Sequence, residues 1–284
     1  MIRRSDSGPP PALDAAERAR VCALVRRRTG VVIDEDKAYL VDARLTAFAS
    51  REGFAGLTDL LDALHMESES GPLHRAVVEA LLIAETSWFR DIHPFESLRT
   101  RILPGLIERR ARTRTLDLWC AACATGQEPF SLAILLLEHF PQLADWRVRL
   151  IASDVSRSML DRARDATYSA LEMNRGLPAS MLVRWFEKVG ERWRVRDVIR
   201  RQVELCEVNL AGPWPPLPAM DLILLRNALI YFDTPTRKAV LRNVARRLRP
   251  DGVLVMGAGE SPVAFDDAFA PVTDGRSVSF RLAA

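Results

Sequence analysis

Thr115-Leu116-Asp117-Leu118-Trp119 is a β-rich run that passes directly into Cys120-Ala121-Ala122-Cys123-Ala124-Thr125-Gly126, and a helical segment begins near Glu128-Pro129. The small residues let backbone approach a ligand at the N-terminus of the helix, and proline suits a first helical turn. Small-residue turns after strands are common and the GxGxxG pattern is absent, so this stretch decides the fold only through its repetition. Four further β-rich runs follow: Val148 to Ser153, Val203 to Val208, Asp221 to Leu225 and Val253 to Met256. Each run precedes a helical stretch, and that alternation predicts a parallel sheet with helices on both faces. Between the second and third runs, Ala166 to Arg201 is too long for a simple crossover. Trp185-Phe186 and the Trp193, Val195 alternation predict a small β insertion at about 180–202.

N-terminal to this region the period changes. Leu13, Val21, Leu24 and Val25, then Tyr39, Leu40, Ala43 and Leu45, then Leu57, Leu60, Leu61 and Leu64 recur at helical spacing. Breaks at Thr29-Gly30, Gly53 to Gly56 and Glu69 to Pro72 divide the stretch into four short helices. The organisation expected is a disordered polar, Pro-rich tail over 1–12 and a helical domain over 13–84. A linker with a connecting helix over 85–114 and an α/β domain over 115–284 complete it.

With 284 residues, 48% hydrophobic and 27% charged, the chain suits one medium and one small soluble domain. Leu132 to Leu137 and Leu222 to Leu225 fall far short of the roughly 20 apolar residues that span a bilayer. The first residues lack the apolar core of a secretory signal. A cytoplasmic protein with no direct membrane insertion is expected. Cys120 and Cys123 form a CxxC, but zinc needs a second ligand pair, and Cys22 and Cys206 are isolated, so no metal is expected. A net charge of +3 does not announce a nucleic-acid partner. The arginines are clumped, however, at 18–28, at 99–114 and at 184–201. Each clump reads either as a solvated face or as a docking surface for an acidic partner.

Polar residues fall where four of the runs end. Asp154 closes the second run, 28 residues beyond Gly126 (154 minus 126). A carboxylate there accepts both hydroxyls of a ribose or caps the next helix. Asn209-Leu210 closes the third run and Arg226-Asn227 the fourth. Ligands of open α/β sheets bind at that edge, and the combination points to a nucleoside site.

Three segments then resemble, in order, signatures of the CheR methyltransferases: Glu85-Thr86-Ser87-Trp88-Phe89-Arg90-Asp91, Trp119 through Ser131, and Arg226-Asn227-Ala228-Leu229-Ile230-Tyr231-Phe232-Asp233. Arg249-Pro250-Asp251-Gly252 and Gly257 to Glu260 are similar to the closing signature of that family, and the resemblance runs from about Leu13 to Leu282. It implies an α/β fold: a Rossmann-like methyltransferase sheet with a small all-helical N-terminal domain and a small β insertion. It implies methyl transfer from S-adenosylmethionine to glutamate side chains on the cytoplasmic helical bundle of chemoreceptors, leaving S-adenosylhomocysteine.

By the same resemblance, Thr86 and Arg90 close over the cofactor, while Gly126, Gln127 and Glu128 line its methionine and ribose side. Asp154 holds the ribose, Asn209 and Leu210 border the adenine, and Arg226 and Asn227 complete the floor. Tyr231 stands beside the transferred methyl, although an Ile-Tyr-Phe run also suits a core tyrosine. Tyr231 and Arg90 are the residues expected to orient the acceptor. A glutamate is already ionised at neutral pH and needs no general base, so His65, His74, His93 and His139 are not expected to be catalytic.

The chain departs from the family at Ala84, where asparagine is usual, at Gln127, where an acid is usual, and at Ala258-Gly259 in place of His-Ser. Its Lys188-Val189-Gly190-Glu191-Arg192-Trp193 loop has one glycine where members that grip a receptor tail peptide carry a glycine-rich loop. No such tether is expected. Two rival readings stand beside this one. A nucleic-acid methyltransferase would use the arginines for phosphates, but the Asn-Pro-Pro-aromatic motif and the Pro-Cys nucleophile are absent. A cofactor-binding scaffold without catalysis would account for Ala84 and Gln127.

Overall fold

The computed structural model describes residues 13–283, so the tail expected over 1–12 lies outside the described residues. The chain divides into two compact units after Ile83. The first holds α1 (Ala15–Thr29), α2 (Ala38–Glu52), α3 (Leu57–Met66) and α4 (Pro72–Leu81). Asp14 and Glu17 form a reciprocal capping box that starts α1. Val25, Leu45, Leu60 and Val77 supply a fully buried centre. Arg18 donates through Nε and Nη2 to both carboxylate oxygens of Asp42, pinning α1 to α2.

The second unit opens with α5 (His93–Ser97), a π-helical turn over Leu98–Ile102 and α6 (Leu103–Arg110). Then follow β1 (Thr115–Ala121), α7 (Gln127–His139), β2 (Arg147–Asp154), α8 (Arg157–Asp165), β3 (Thr167–Ser169), α9 (Ala170–Met173) and α10 (Ala179–Trp185). β4 (Phe186–Val189), β5 (Arg192–Val195), α11 (Asp197–Arg200), β6 (Val203–Glu207) and β7 (Met220–Leu225) come next. The chain closes with α12 (Thr234–Arg247), β8 (Leu248–Met256), β9 (Phe269–Asp274) and β10 (Ser277–Leu282). Seven strands form one sheet in the order β6-β2-β1-β7-β8-β10-β9. The first five of these run parallel, and β10 and β9 add an antiparallel edge. β1 and β7 are buried along almost their whole length and, apart from Asp117 and Asp221 near their starts, are built of apolar residues after Thr115, as central parallel strands covered by helices are.

The five β-rich runs correspond to β1, β2, β6, β7 and β8, and the sheet is mixed rather than purely parallel. β9 and β10 escaped the sequence reading because Pro271 and polar residues interrupt their pattern on an edge where burial is partial. The β insertion is a separate sheet in the order β3-β5-β4, so it recruits Thr167–Ser169 from ahead of the expected 180–202 segment.

At the end of the sheet where the strands begin, an ionic staple joins three segments. Arg110 Nε donates to Asp221 (2.6 Å), and Arg110 Nη1 donates to Asp251 (2.7 Å). Asp221 also accepts the backbone N–H of Asp117 (2.8 Å). The register of β7 against β8 jumps between Met220 and Leu222, and the residues looped out there include Asp251. Arg99 and Arg101 pair with Glu96 and Asp274. Much of the second arginine clump is thus engaged within its own unit.

Candidate active site

From β1 the sheet continues through β2 to β6 on one side and through β7 to β8 on the other. The crevice outside the carboxyl ends at such a reversal is where a ligand fits. Three segments converge there: the turn after β1, the turn after β7 and the stretch 84–92. Of the eight non-glycine residues with positive φ among the described residues, six lie in these segments: Phe89, Asp91, Ile92, Ala122, Ala124 and Asn227. Each costs on the order of 1–3 kcal/mol unless its surroundings over-determine it, so their concentration marks a site rather than ordinary turns.

After β1, Ala121 to Gly126 wrap tightly, with Gly126 at φ 96° as the N-cap of α7. Asp154, at the end of β2, accepts the backbone N–H of Ala124 (2.9 Å) and of Ser156 (3.0 Å). The cap of α8 is Ser156, whose side chain accepts from Met159 N. The helix-cap alternative for Asp154 is therefore overturned: its carboxylate lies across the small-residue turn. Cys120 and Cys123 are buried, and burial pushes both thiols well above their ordinary pKa, which leaves them poor nucleophiles. Gln127 is buried, and its Oε1 accepts from the Thr125 hydroxyl at 2.7 Å.

Arg226 occupies the centre. Its side chain is 1% exposed; Nη1 donates to Glu128 Oε2 (2.7 Å), and Nη2 donates to Asp91 Oδ2 and to the carbonyl of Arg90 (both 2.8 Å). One guanidinium thus joins the first turn of α7, the end of β7 and the 84–92 segment. Burial raises the pKa of Glu128, although the charge and hydrogen bond of Arg226 oppose the rise. Asn227, at φ 57°, donates its backbone N–H to Glu260 (2.6 Å). Tyr231 closes a 3-10 turn over Leu229–Tyr231 and is half-buried rather than part of the core.

The 84–92 segment is anchored through Trp88, which is fully buried and packs edge-on against Tyr168 and Phe186 with ring centroids 5.0 Å apart in both pairs. Tyr168 in turn donates to the Thr125 carbonyl at 2.6 Å. Phe89 N donates to the Ser131 hydroxyl (3.1 Å), and Ser131 donates to the Gln127 carbonyl (2.6 Å). Arg90 Nη1 donates to the Glu85 carbonyl. Thr86 is half-buried, and no hydrogen bond links it to the strand ends among the described residues. Asn209 Oδ1 accepts from Ala211 N, and the carbonyl of the buried Leu210 accepts from Trp214 Nε1. Val208 N donates to the Asp154 carbonyl, which sets that loop beside β2.

Sequence reasoning left Asp91, Ser131, Trp88, Tyr168 and Glu260 without roles. Asp91 and Glu260 stand inside quoted motifs, but their partners lie 135 and 33 residues away, beyond any local pattern. The departures fall unevenly. Ala258 and Gly259 are exposed, whereas Gln127 is internal and held by Thr125.

A nucleoside cofactor bearing a sulfonium and an ammonium fits this ground. Asn227 Oδ1 is a buried acceptor with no partner among the described residues. Asp91, Glu128 and Asp154 outnumber Arg90 and Arg226 at these strand ends, which favours cationic groups.

Comparison with known proteins agrees. Residues 84–276 match the CheR methyltransferase, SAM binding domain, and residues 16–82 match the CheR methyltransferase, all-alpha domain. Chemotaxis protein methyltransferase 1 of Pseudomonas aeruginosa is 37% identical over 242 residues, covering 84% of this chain and 87% of that one. Chemotaxis protein methyltransferase 1 of Vibrio cholerae is 35% identical over 265 residues, covering 92% and 94%. The chain therefore belongs to the CheR family of chemotaxis protein methyltransferases and uses S-adenosylmethionine as its methyl donor.

Proposed function

We propose that the protein esterifies glutamate side chains on the cytoplasmic helical bundle of chemoreceptors. The observation that carries this reading is the convergence of Asp154, Asn227 and the Arg226 ion cluster on the sheet's crevice, with none of the four histidines among those groups. A carboxylate acceptor needs no base there. Its oxygen forms the new O–C bond as the C–S bond breaks, the electron pair leaves on sulfur, and no proton moves.

S-adenosylmethionine, when bound, supplies the electrophilic methyl. The chain supplies position and dryness. Asp154 would accept ribose hydroxyls, Asn209 and Leu210 would border the adenine, and Gly126 with Gln127 would line the methionine side. Glu128 would line that side as well, Arg226 and Asn227 would complete the floor, and the Asn227 side-chain oxygen would offer an acceptor to the ammonium. Thr86 and Arg90 would cover the cofactor. Arg90 and Tyr231 would orient the incoming carboxylate.

The β4–β5 hairpin turns through Gly190-Glu191 alone, Val189 pairing directly with Arg192, which leaves no long loop to wrap a peptide. The protein, acting in the cytoplasm, would need no receptor-tail tether. Binding of a tail peptide at micromolar concentration would sink that part.

The test is transfer of radiolabelled methyl to membranes containing chemoreceptors, followed by mild base. Base-labile label that disappears in Tyr231→Phe and Asp154→Ala supports the reading. Base-stable label moves the acceptor to another chemistry, and cofactor binding without transfer points to a scaffold. Stimulation of turnover by DNA or RNA would revive a nucleic-acid substrate.

A further inference from the structure

Three backbone N–H groups from two chain segments meet one carboxylate beside the site. Glu260 Oε2 accepts from Asn227 N (2.6 Å) and Gly257 N (3.1 Å), and Oε1 accepts from Ile230 N (3.2 Å). The geometry has a local cause. Asn227 is left-handed and Ala228 right-handed, and the chain bends so that the N–H of Asn227 and, three residues on, that of Ile230 face the same carboxylate. Glu260 N donates to the Gly257 carbonyl (2.9 Å), and the resulting turn folds the carboxylate back onto the end of β8. A Cβ on Gly257 would stand 2.8 Å from both Asn227 Nδ2 and Glu260 Oε2, so glycine is what allows the two segments to close.

We propose that Glu260 is the positioning residue of this reaction: its carboxylate clamps the 227–231 turn to the end of β8 and so sets where Asn227 Oδ1 and the Tyr231 side chain stand. This rests on reading Asn227 as a cofactor contact and Tyr231 as an acceptor contact. The two oxygens divide the work. Oε2 holds Asn227, at the cofactor end of the turn, and Oε1 holds Ile230, adjacent to Tyr231. Ala258 and Gly259, where the chain departs from its family, are exposed and leave the clamp untouched.

Glu260→Gln separates the two ends without changing shape. With its one carbonyl oxygen at the Oε2 position it keeps Asn227 and Gly257, and it turns an NH2 group against the N–H of Ile230. Cofactor affinity, read by calorimetry, is expected to stay within about threefold of the parent, while kcat falls about 10- to 100-fold, the usual effect of losing a hydrogen bond to a charged group. Glu260→Ala releases both ends, and affinity and kcat are expected to fall together, each about 10-fold or more. Unchanged tryptophan fluorescence confirms the fold of each variant. Parent-like kcat and affinity in both variants, while Asn227→Ala and Tyr231→Phe are impaired, would overturn the clamp and leave the site reading intact. Loss of stability alone, with kcat and affinity preserved, would reduce Glu260 to a structural residue and also overturn it. Full activity in Asn227→Ala and Tyr231→Phe would overturn the site reading, and the proposal with it.

Discussion

Replacing Arg226 with methionine keeps the length of the side chain and removes the cation at the centre of the site. Its consequences divide between two acids. Asp91 is 36% exposed in its side chain and can regain water, so screening makes its loss of partner small. Glu128 is 11% exposed in its side chain and has no such recourse. Stranding one partner of a buried pair costs about 3–5 kcal/mol. The contact of the guanidinium with the Phe95 ring at 5.7 Å adds about 0.5–1 kcal/mol.

The pH dependence has a definite sign. The folded-state pKa of Glu128 is already above its ordinary value because of burial, so its contribution is fully present below the unfolded pKa of about 4.3 and is lost as pH rises through the folded value. Without Arg226 that folded value moves further up. The deficit of Arg226→Met should therefore be smaller at pH 5.5 than at pH 8. Urea unfolding followed by tryptophan fluorescence measures it cleanly, because Trp88, Trp119, Trp146, Trp185, Trp193 and Trp214 all belong to the second unit. Adding Glu128→Gln should recover at least half of the loss at pH 8. A deficit that is the same at both pH values, with no recovery in the double variant, would refute the stranded-carboxylate argument and leave packing as the cause.

Four other substitutions test separate parts of the molecule. Asp221→Ala removes a fully buried carboxylate that receives Arg110 and the Asp117 N–H, and should cost about 3–5 kcal/mol in the same urea assay. Because Asp221 lies near the start of β7, whereas Arg226 follows its end, cofactor affinity in folded protein should not change; a weakened affinity would contradict that separation. Gly176→Ala puts a Cβ 2.1 Å from the Trp88 carbonyl, at φ 93°, and should weaken cofactor binding by shifting the stretch that carries Thr86 and Arg90. Gly190→Ala, also left-handed but with nothing within 4 Å, should cost only about 1–2 kcal/mol in stability and leave binding alone; equal effects of the two would argue against the Trp88 anchor. Asp154→Ala should raise the dissociation constant for S-adenosylmethionine about 10- to 100-fold in calorimetry, and an unchanged constant would remove Asp154 from the ribose site.

How much of this was legible beforehand depended on the range of the forces involved. β1, β2, β7 and β8 announced themselves because central parallel strands are buried over most of their length, and β6, at the sheet's edge, because its apolar and polar residues alternate; both patterns are written into contiguous residues. β3 has three residues and β9 contains a proline, so each takes its strand character from pairing with a neighbour rather than from its own pattern. The positions of Asp154, Asn209, Arg226 and Asn227 at strand ends could be read from order alone, since the end of a parallel strand is a place as well as a sequence position.

What each side chain does there was not legible in the same way. Arg226 reads as a pocket group, yet its Nη1 and Nη2 are engaged by Glu128, Asp91 and a carbonyl, so its guanidinium spends its charge on holding three segments together. The same division applies to the acids. Glu260 looks like the end of a glycine motif and instead gathers the N–H groups of a strained turn, while Asp154 looks like a helix cap and braces the turn after β1. The ion pairs and backbone-to-carboxylate bonds that join separate segments of this site close over 30 to 135 residues of chain, and no local pattern encodes them. Substitution at Gln127 is tolerable for a related reason. Its Oε1 accepts from Thr125, a role an uncharged amide fills without the cost of burying another carboxylate beside Glu128.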